Sequence, residues 1–286
     1  MKNQYSHLTA KKREKISFPM AWLNRQNLLN GEILDYGCGH GFDVAFLKRQ
    51  NLQITGFDPY YFKDIDQSKK YDTITCLYVL NVVDILEQSK ILIKISSLLK
   101  NGGAAYFAVR RDIKYEGFRN HYIHKKPTYQ TKVILPFESI FKNESCEIYK
   151  FQHYNNIPKL KSDCVFCNVE REVYLENALG YVIYDKFPVS KGHSLIIPKR
   201  HVADYFETSL NEKISLQLLL EEAQKNLKEK YNPEGFNIGV NIGNHAGQTV
   251  NHVHIHLIPR YKNDVPDPTG GVRNIIPEKG NYLRNK

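Results

Sequence analysis

Residues 246–260, AGQTVNHVHIHLIPR, contain three histidines at alternate positions, His252, His254 and His256. An imidazole can bind a metal, exchange protons or attack phosphorus as a nucleophile. Side chains alternate across a strand, so an extended segment would place the three rings on one face and the intervening aliphatic side chains on the other. Structural histidines in a half-buried strand are the alternative. Three successive imidazoles are poor cross-strand partners, which favours chemistry.

The polar loop before these histidines has the composition of a phosphate-binding loop. Residues 243–250 read GNHAGQTV. Glycines let the backbone approach a phosphate closely, and the side chains of Gln248 and Thr249 can donate hydrogen bonds to its oxygens. The loop and the histidines together predict a site for phosphorus chemistry.

This combination resembles the histidine triad (HIT) superfamily of nucleotidyl hydrolases and transferases, whose signature is H-x-H-x-H-x-x with apolar x. The resemblance extends to DKFPVSKGHSLIIPKRH at 185–201 and NIGVNIG at 237–243, and it runs from about Cys164 to about Tyr282. It implies an α+β fold with an antiparallel sheet. The ending, DPTGGVRNIIPEKGNY, is closer to the bacterial hydrolases named for diadenosine polyphosphates than to the branch acting on nucleoside phosphoramidates.

The resemblance also implies roles for the matching residues. His254 would attack the α-phosphate and form a nucleotidyl-histidine intermediate, while His252 and His256 would hold its tautomer and stabilise the phosphoryl oxygens. Homodimers are common in this superfamily. The positions that match nucleotide contacts are Asp185 at the ribose, His193, Asn241, and the phosphate-loop residues Gln248 and Thr249.

A pair of cysteines raises the question of a metal. Cys164 and Cys167 form a C-x-x-C motif, and thiolates at this spacing suit a tetrahedral Zn²⁺ that needs two more ligands. The family resemblance implies that His201 and His252 complete a structural zinc site. A redox C-x-x-C is the alternative, but such a motif stands at the head of a βαβ unit, and none follows here.

A second motif lies in the first half of the chain. Residues 33–41, ILDYGCGHG, predict a strand that contains Asp35 and leads into a turn with three glycines, Gly37, Gly39 and Gly41. Glycine permits positive φ and close approach of a ligand to the backbone. The next predicted strand, LQITGFD, ends in Asp58, whose carboxylate could accept hydrogen bonds from both hydroxyls of a ribose.

The acidic residue followed by x-G-x-G-x-G resembles the first motif of class I S-adenosylmethionine-dependent methyltransferases. The resemblance implies that the glycine loop lies against the methionine part of the cofactor and that Asp58 binds the ribose. An NAD-binding fingerprint, G-x-G-x-x-G, fails because position 42 is phenylalanine. Only 13 residues separate Asp58 from Asp72, which predicts a compact fold. In such a fold the ring of Tyr60 or Tyr61 would stack on the adenine base of the cofactor. A degenerate domain that binds the cofactor without catalysis stays an alternative.

These patterns predict two domains. Residues 1–150 alternate strands with helical stretches and predict a compact α/β Rossmann-like domain, and residues 151–162 a linker. Residues 163–286 predict the α+β HIT-like domain, with a long amphipathic helix from Leu210 to Tyr231.

The composition bears on the kind of partner and on the cellular location. The 286 residues carry a net charge of +10, and residues 1–158 hold 23 Lys and Arg against 15 Asp and Glu. Such a balance favours a phosphate-rich partner, nucleic acid included, or a merely solvated surface. Five cysteines and an amino terminus without an apolar signal region predict a cytoplasmic protein with reduced thiols and no membrane association.

Three functions agree with these observations. The first is a bifunctional enzyme, a methyltransferase joined to a nucleotidyl hydrolase acting on dinucleoside polyphosphates or nucleotidyl conjugates. The second is a sensor that binds nucleotide and S-adenosyl ligands without turnover. The third is a nucleic-acid-modifying methyltransferase with an accessory HIT domain.

Overall fold

The computed structural model describes residue 3 and residues 5–66, 68–158 and 163–281. The chain divides into two compact units, Met1–Asn156 and Ile157–Lys286. The division falls inside the predicted linker, 151–162. The last strand of the first unit reaches Phe151, and residues 159–162 lie outside the described residues.

Among its described residues, the first unit contains a mixed six-stranded sheet, three α-helices and a separate hairpin. Their bounds are α1 Phe18–Arg25, β1 Ile33–Tyr36, α2 Phe42–Lys48, β2 Ile54–Phe57, β3 Tyr71–Leu77, α3 Ile85–Leu98, β4 Leu99–Arg110, β5 Gly117–Asn120, β6 Pro127–Gln130, β7 Glu138–Lys142 and β8 Cys146–Phe151. The sheet order is β2-β1-β3-β4-β8-β7. Strands β1 to β4 pair in parallel, as the alternation of strands and helices predicted, and β8 pairs antiparallel with β4 and β7.

Local sequence explains where the helices of this unit begin. The Ser17 hydroxyl accepts a hydrogen bond from the Met20 N–H at the start of α1, and the Asp84 carboxylate does the same for Glu87 at the start of α3. Fully buried Met20 and Leu23 pack α1 into a core shared with α2 and the sheet. Burial of each such side chain contributes about 1.5–3 kcal/mol.

The carboxyl ends of the parallel strands bring the first-unit motif residues to one edge of the sheet. Asp35 in β1 lies opposite Gly56 of β2 and Thr75 of β3. Asp58 follows β2 directly, and the glycine loop follows β1. Between β2 and β3 the described residues form turns and one short bridge but no helix, consistent with the short spacing seen in the sequence.

The second unit is built on a five-stranded antiparallel sheet in the order β12-β13-β11-β10-β9. The bounds of its elements are β9 Leu175–Glu176, β10 Gly180–Tyr184, β11 Ser194–Pro198, α4 Leu210–Tyr231, β12 Gly235–Val240, β13 Ile255–Arg260 and α5 Pro277–Gly280. The predicted helix from Leu210 to Tyr231 is confirmed. It begins at a capping box between Ser209 and Glu212 and packs on the sheet, where Leu216 leaves no room for a side chain at Gly180.

One expectation about the histidine segment needs correction. An unbroken strand was expected through all three histidines, but β13 begins only at Ile255, so His252 and His254 precede it. The His252 N–H bonds to Val250 O at 2.7 Å in a tight turn, and the Val253 N–H bonds to Val202 O at 2.8 Å. Because these two N–H groups already have partners, they do not join the regular hydrogen-bond ladder of the sheet.

No helix in the described part of the chain combines the length and the apolar character needed to cross a bilayer.

Candidate functional site

The ring of His254 is held in one tautomer by its own backbone. Its Nδ1 lies 2.7 Å from the carbonyl oxygen of His252. A carbonyl only accepts hydrogen bonds, so Nδ1 carries the proton and the lone pair is on Nε2. The residue is buried, with an exposed fraction of 7%. His254 therefore presents an oriented imidazole whose Nε2 points away from the backbone.

A chain of hydrogen bonds fixes the neighbouring ring of His256. The Val189 N–H donates to Nδ1 of His193 at 3.4 Å, which leaves the proton of His193 on Nε2. That Nε2 lies 3.0 Å from Nδ1 of His256 and donates to it, so His256 carries its proton on Nε2. This Nε2 is buried and has no hydrogen-bond partner among the described residues. The ring centroids of His254 and His256 are 5.1 Å apart. An N–H donor thus stands beside the candidate nucleophile.

The electrostatics keep these flanking rings neutral at pH 7. Burial, followed by the nearby His254 and His193, lowers the pKa of His256 to about 4. Burial also lowers the pKa of His193, although the carboxylate of Asp185, 3.6 Å from its Nδ1, acts in the opposite direction. Because the rings are uncharged, their hydrogen bonds have the fixed directions described above.

A second cluster lies on the other side of the histidine segment. The residues predicted for zinc, Cys164, Cys167, His201 and His252, offer one ligand atom each, all within 4.8 Å of one another. Nδ1 of His252 lies 3.4 Å from Sγ of Cys164, and Nδ1 of His201 lies 3.3 Å from Sγ of Cys167.

His252 is oriented for this cluster by a backbone carbonyl. Its Nε2 donates to Pro198 O at 2.9 Å, so the lone pair is on Nδ1, the atom that faces the two thiols. Burial lowers the pKa of His252 to about 4. Two sulfurs and two nitrogens at this separation are the donor set that tetrahedral Zn²⁺ prefers.

Phe166 connects the cysteine pair to the nucleophile. It lies between Cys164 and Cys167 in the chain, is 4% exposed, and packs its ring 5.1 Å from the ring of His254. Its carbonyl accepts a hydrogen bond from the hydroxyl of Tyr181 at 2.5 Å. Sequence reasoning missed this residue. The only signal was an aromatic residue inside the C-x-x-C motif.

The polar loop is held by the side chain of Gln248. Its Oε1 accepts from the Gly243 N–H of the loop at 2.7 Å, and its Nε2 donates to Ala203 O, outside the loop, at 2.8 Å, so both ends of the amide are engaged. Thr249 is exposed next to it. Asn241 follows β12 directly after the pair Val240–Ile255, at the level of His254.

The glycine loop of the first unit is shaped by positive φ. Gly37, Gly39 and Gly41 have φ of +84°, +54° and +75°. A Cβ on Gly37 would lie 2.3 Å from the side chain of Val79, and one on Gly41 would lie 3.0 Å from the ring of Phe62. Only glycine meets both the torsion and the space requirement at Gly37.

Asp58 joins this loop to the next strand. Its Oδ2 accepts from the Gly39 N–H at 3.1 Å, and its Oδ1 accepts from the N–H groups of Tyr60 and Tyr61 at 2.9 and 3.0 Å. The ring of Tyr60 stacks on His7 with centroids 3.8 Å apart. Oδ1 already accepts two N–H bonds, whereas Oδ2 accepts one and keeps a further lone pair that a ribose hydroxyl could use.

Below the loop, Asp35 is almost fully buried and accepts a hydrogen bond from the Thr75 hydroxyl at 2.8 Å. Burial raises the pKa of Asp35 to about 7, although the Thr75 hydrogen bond lowers it. Tyr78, which follows β3 at the same edge, was missed by sequence reasoning. It has φ of +63°, a conformation that costs a residue with a side chain about 1–2 kcal/mol. The structure thus brings Asp35, the three glycines and Asp58 together at one edge of the sheet.

Comparison with known proteins finds a domain family for each unit. Residues 168–263 match the HIT domain family, and residues 4–133 match a methyltransferase domain family. An uncharacterized 16.1 kDa HIT-like protein of Mycoplasma pneumoniae is 37% identical over 106 residues, which are 35% of this chain and 74% of that protein.

Two further relatives are similar to the same part of the chain. A bis(5'-adenosyl)-triphosphatase of Dictyostelium discoideum is 35% identical over 95 residues, 33% of this chain and 64% of its own length. The crystal structure of a HIT family protein from Bacillus anthracis is 34% identical, covers 37% of this chain and 78% of its own, and superposes with a TM-score of 0.35. The chain belongs to the HIT family through its second unit, and residues 4–133 of its first unit match a methyltransferase domain family.

Proposed function

We propose that the protein is a bifunctional enzyme whose second unit hydrolyses dinucleoside polyphosphates through a nucleotidyl-histidine intermediate on His254. The observation that supports this most directly is the hydrogen bond from His254 Nδ1 to the carbonyl of His252, which leaves a lone pair on Nε2. The similarity to a bis(5'-adenosyl)-triphosphatase favours this substrate class.

The proposed reaction has two displacements. Nε2 of His254 attacks the α-phosphorus, an N–P bond forms, and the P–O bond to the remaining polyphosphate breaks, with the electron pair leaving on that oxygen. A water molecule then attacks the same phosphorus, the P–N bond breaks, and its electron pair returns to Nε2. The water loses its protons to solvent or to the leaving groups, and the products are a nucleoside monophosphate and the shortened nucleotide.

The neighbouring residues orient the phosphate in this scheme. The N–H of His256 would donate to a phosphoryl oxygen, because its Nε2 is buried beside His254 and bonds to no described residue. The Thr249 hydroxyl would contact the same phosphate, while Gln248 holds the loop rather than reaching outward. Asp185 and Asn241 would contact the nucleoside, and His193 would hold His256 in place.

We further propose that Cys164, Cys167, His201 and His252 bind a structural zinc ion. The donor set and the lone pair of His252 on Nδ1 agree with Zn²⁺ ligation. When bound, the ion ties the segment after the linker to the histidine segment. In the chain itself, this segment places the ring of Phe166 against His254 and shields it from water.

For the first unit we propose a compact Rossmann-like methyltransferase that binds S-adenosylmethionine. Its three positive-φ glycines form a turn directly after β1, where a Cβ would lie within 3.0 Å of Val79 or Phe62 at two positions, and a glycine turn after the first strand is typical of cofactor-binding α/β domains. The cofactor supplies the methyl group when bound. The residues of the chain orient it, with the glycine loop along the methionine part and Asp58 at the ribose. The homodimer and the cytoplasmic location stay predictions.

The test of the hydrolase is direct. The full chain is incubated with diadenosine tetraphosphate or triphosphate, AMP is measured, and the acid-quenched protein is analysed by mass spectrometry. We expect AMP and an adenylyl adduct on His254, and a loss of at least about 1,000-fold in kcat for His254→Ala. His124→Ala, an exposed histidine of the other unit, should be unchanged. Tight nucleotide binding without AMP, or unchanged turnover in His254→Ala, would contradict the proposal and favour a sensor.

A further inference from the structure

We propose that the β5–β6 hairpin and its flanks, residues 111–132, form a surface that binds single-stranded nucleic acid beside the methyltransferase site. The inference deepens the proposed function of the first unit, since it names nucleic acid as the class of methyl acceptor. We refer to this segment as the basic hairpin. It is a two-stranded sheet of its own and pairs with no strand of the main sheet.

The base of the basic hairpin is fixed at the edge that holds the glycine loop. Asn81, nearly fully buried just beyond β3, donates from Nδ2 to Thr131 O at 2.9 Å and accepts from the Thr131 N–H at its carbonyl, also at 2.9 Å. Its side-chain oxygen accepts from the Arg110 N–H at the end of β4. Two residues earlier, Val79 is the side chain that a Cβ on Gly37 would strike. The hairpin therefore starts one short segment away from the proposed cofactor loop.

The charge of this surface is one-sided. Glu116 and Asp112 are the two acids of the segment, and both are engaged. Glu116 accepts hydrogen bonds from Thr131 and Lys132 at the hairpin base, and Asp112 pairs with Arg110. Arg111 pairs with Glu147. The other basic side chains form no ion pair within residues 5–66, 68–158 and 163–281, and all five are exposed: Lys114, Arg119, Lys125, Lys126 and Lys132. Unpaired exposed cations of this density bind polyphosphate backbones.

Aromatic side chains alternate with these cations. Tyr115 is 76% exposed and Tyr122 at the tip is 86% exposed. The ammonium group of Lys125 lies 5.1 Å from the centroid of the Tyr122 ring, so a phosphate near that cation would place its base near the ring. Rings that are this exposed pack little of their surface against the rest of the hairpin. Stacking on an unpaired base contributes about 1–3 kcal/mol and does not depend on sequence.

The combination of exposed cations and exposed tyrosines distinguishes among the possible polyanionic partners of the basic hairpin. Cations alone would suit an acidic protein, a polysulfated sugar or an anionic bilayer equally well. A duplex keeps its bases stacked and offers aromatic rings little. Cations interleaved with exposed tyrosines are the combination that recognises phosphates and unpaired bases together, which is why we favour single-stranded DNA or RNA.

The experiment measures fluorescence anisotropy of labelled single strands of about 20 nucleotides with the full chain, without added cofactor, over about 50–200 mM salt. We expect binding whose affinity falls steeply with salt. Replacement of both Lys125 and Lys126 by glutamine should reduce the slope of log Kd against log salt by about 1.4, because each phosphate contact to a single strand contributes about 0.7. The matched control, Lys225→Gln with Lys228→Gln, removes the same charge from exposed positions of α4 and should leave the slope unchanged.

A second variant tests the contribution of base stacking to binding separately from that of charge. Tyr122→Ala should weaken single-strand binding by about 5- to 150-fold, the range equivalent to one stacked base, and should leave binding of heparin unchanged. Phe206→Ala, an equally exposed aromatic of the other unit, is its control. Equal effects of Tyr122→Ala on heparin or on phosphatidylglycerol vesicles, no effect on single strands, or no binding at low salt would overturn the inference. Methyl transfer to another acceptor without such binding would overturn it while leaving the methyltransferase proposal intact.

Discussion

The two candidate sites are built from different parts of the chain. In the second unit the polar atoms belong to side chains, and backbone carbonyls assign the protons of two imidazoles, Pro198 O for His252 and His252 O for His254. In the first unit the candidate site is shaped mainly by backbone, because three glycines have positive φ and their N–H groups bond to Phe57 O, Asp58 Oδ2 and Cys38 O. The site of the second unit depends on the identity of its side chains, whereas the site of the first unit depends on the absence of a side chain at its glycines.

This difference has consequences for substitution. A side-chain site loses its chemistry when one ring is replaced, while the fold survives if the volume is filled. A backbone site tolerates changes around it but fails when a Cβ is added at a position with no space. The predictions below test this contrast.

The largest expected effect concerns the proposed zinc cluster, where side chains of distant segments meet. Cys164→Ser should abolish stoichiometric zinc and lower the free energy of unfolding of the second unit by about 4 kcal/mol, the linkage expected when free zinc is about 1,000 times its Kd. Zinc content by atomic emission and chemical denaturation of the full chain measure the two effects. Cys38→Ser, a half-buried thiol of the first unit, should keep the zinc. Purified wild-type protein without zinc, and insensitive to chelators, would contradict the assignment.

The glycine loop gives the next effect, and the chain offers a matched control. Gly37 and Gly102 have φ of +84° and +85°, but a Cβ on Gly37 would lie 2.3 Å from Val79, whereas nothing lies within 4 Å of one on Gly102. Both alanine variants have the same torsional cost. Gly37→Ala should therefore destabilise the first unit by about 1–3 kcal/mol more than Gly102→Ala and weaken S-adenosylmethionine binding as well.

Urea denaturation and calorimetric titration of the full chain would measure that difference. AMP production by the second unit should be the same in both glycine variants. Equal stability of the two variants would show that Val79 moves aside at no cost, and the loop would then be less constrained than its geometry indicates.

The same contrast explains what the sequence could and could not predict. Side-chain chemistry can be read from residue type: the C-x-x-C spacing predicted Cys164 and Cys167 as ligands and the family resemblance implied His201 and His252, and the structure brings the four ligand atoms within 4.8 Å of one another. The helical periodicity of apolar residues predicted both ends of α4, because a helix of 22 residues repeats its pattern over several turns.

Other features depend on contacts that residue type does not encode. The start of β13 at Ile255 follows from two backbone bonds, a local one from His252 to Val250 O and a long-range one from Val253 to Val202 O. The side chain of Gln248 turned inward because Gly243 and Ala203 supply its partners. The antiparallel β7–β8 pair and the basic hairpin were left unassigned, because short strands with mixed exposure have no clear period.

A smaller effect should come from His193, which we place as a positioning residue behind His256. His193→Leu removes the donor that fixes the His256 proton, so we expect kcat for diadenosine tetraphosphate to fall about 10-fold, the value of one hydrogen bond, with KM nearly unchanged. His193→Gln retains an N–H donor and should recover part of that loss. A loss confined to KM would instead indicate that His193 contacts the nucleotide directly.

The smallest effect concerns Glu212, which links the start of α4 to Arg200, shortly after the end of β11. Its carboxylate pairs with Arg200 at 2.8 Å and caps α4 through the Ser209 N–H, and these bonds lower its pKa to about 2. An unfolded glutamate has a pKa of about 4.3, so the stabilisation is fully present above that pH and is lost as pH falls towards 2. The Arg200 side chain is 53% exposed, and solvent screening reduces the expected contribution to about 1 kcal/mol.

Glu212→Gln should therefore be less stable than the wild type at pH 6, and the difference should shrink as the pH is lowered to about 3. Denaturant midpoints across this range measure it, and Glu221→Gln, an exposed position of the same helix, controls for the change of net charge. A difference that stays constant with pH would mean that the capping bonds of the side chain, which glutamine partly retains, matter more than the charge. The side-chain contribution to this unit would then be geometric rather than electrostatic, as it is for the glycine loop of the other unit.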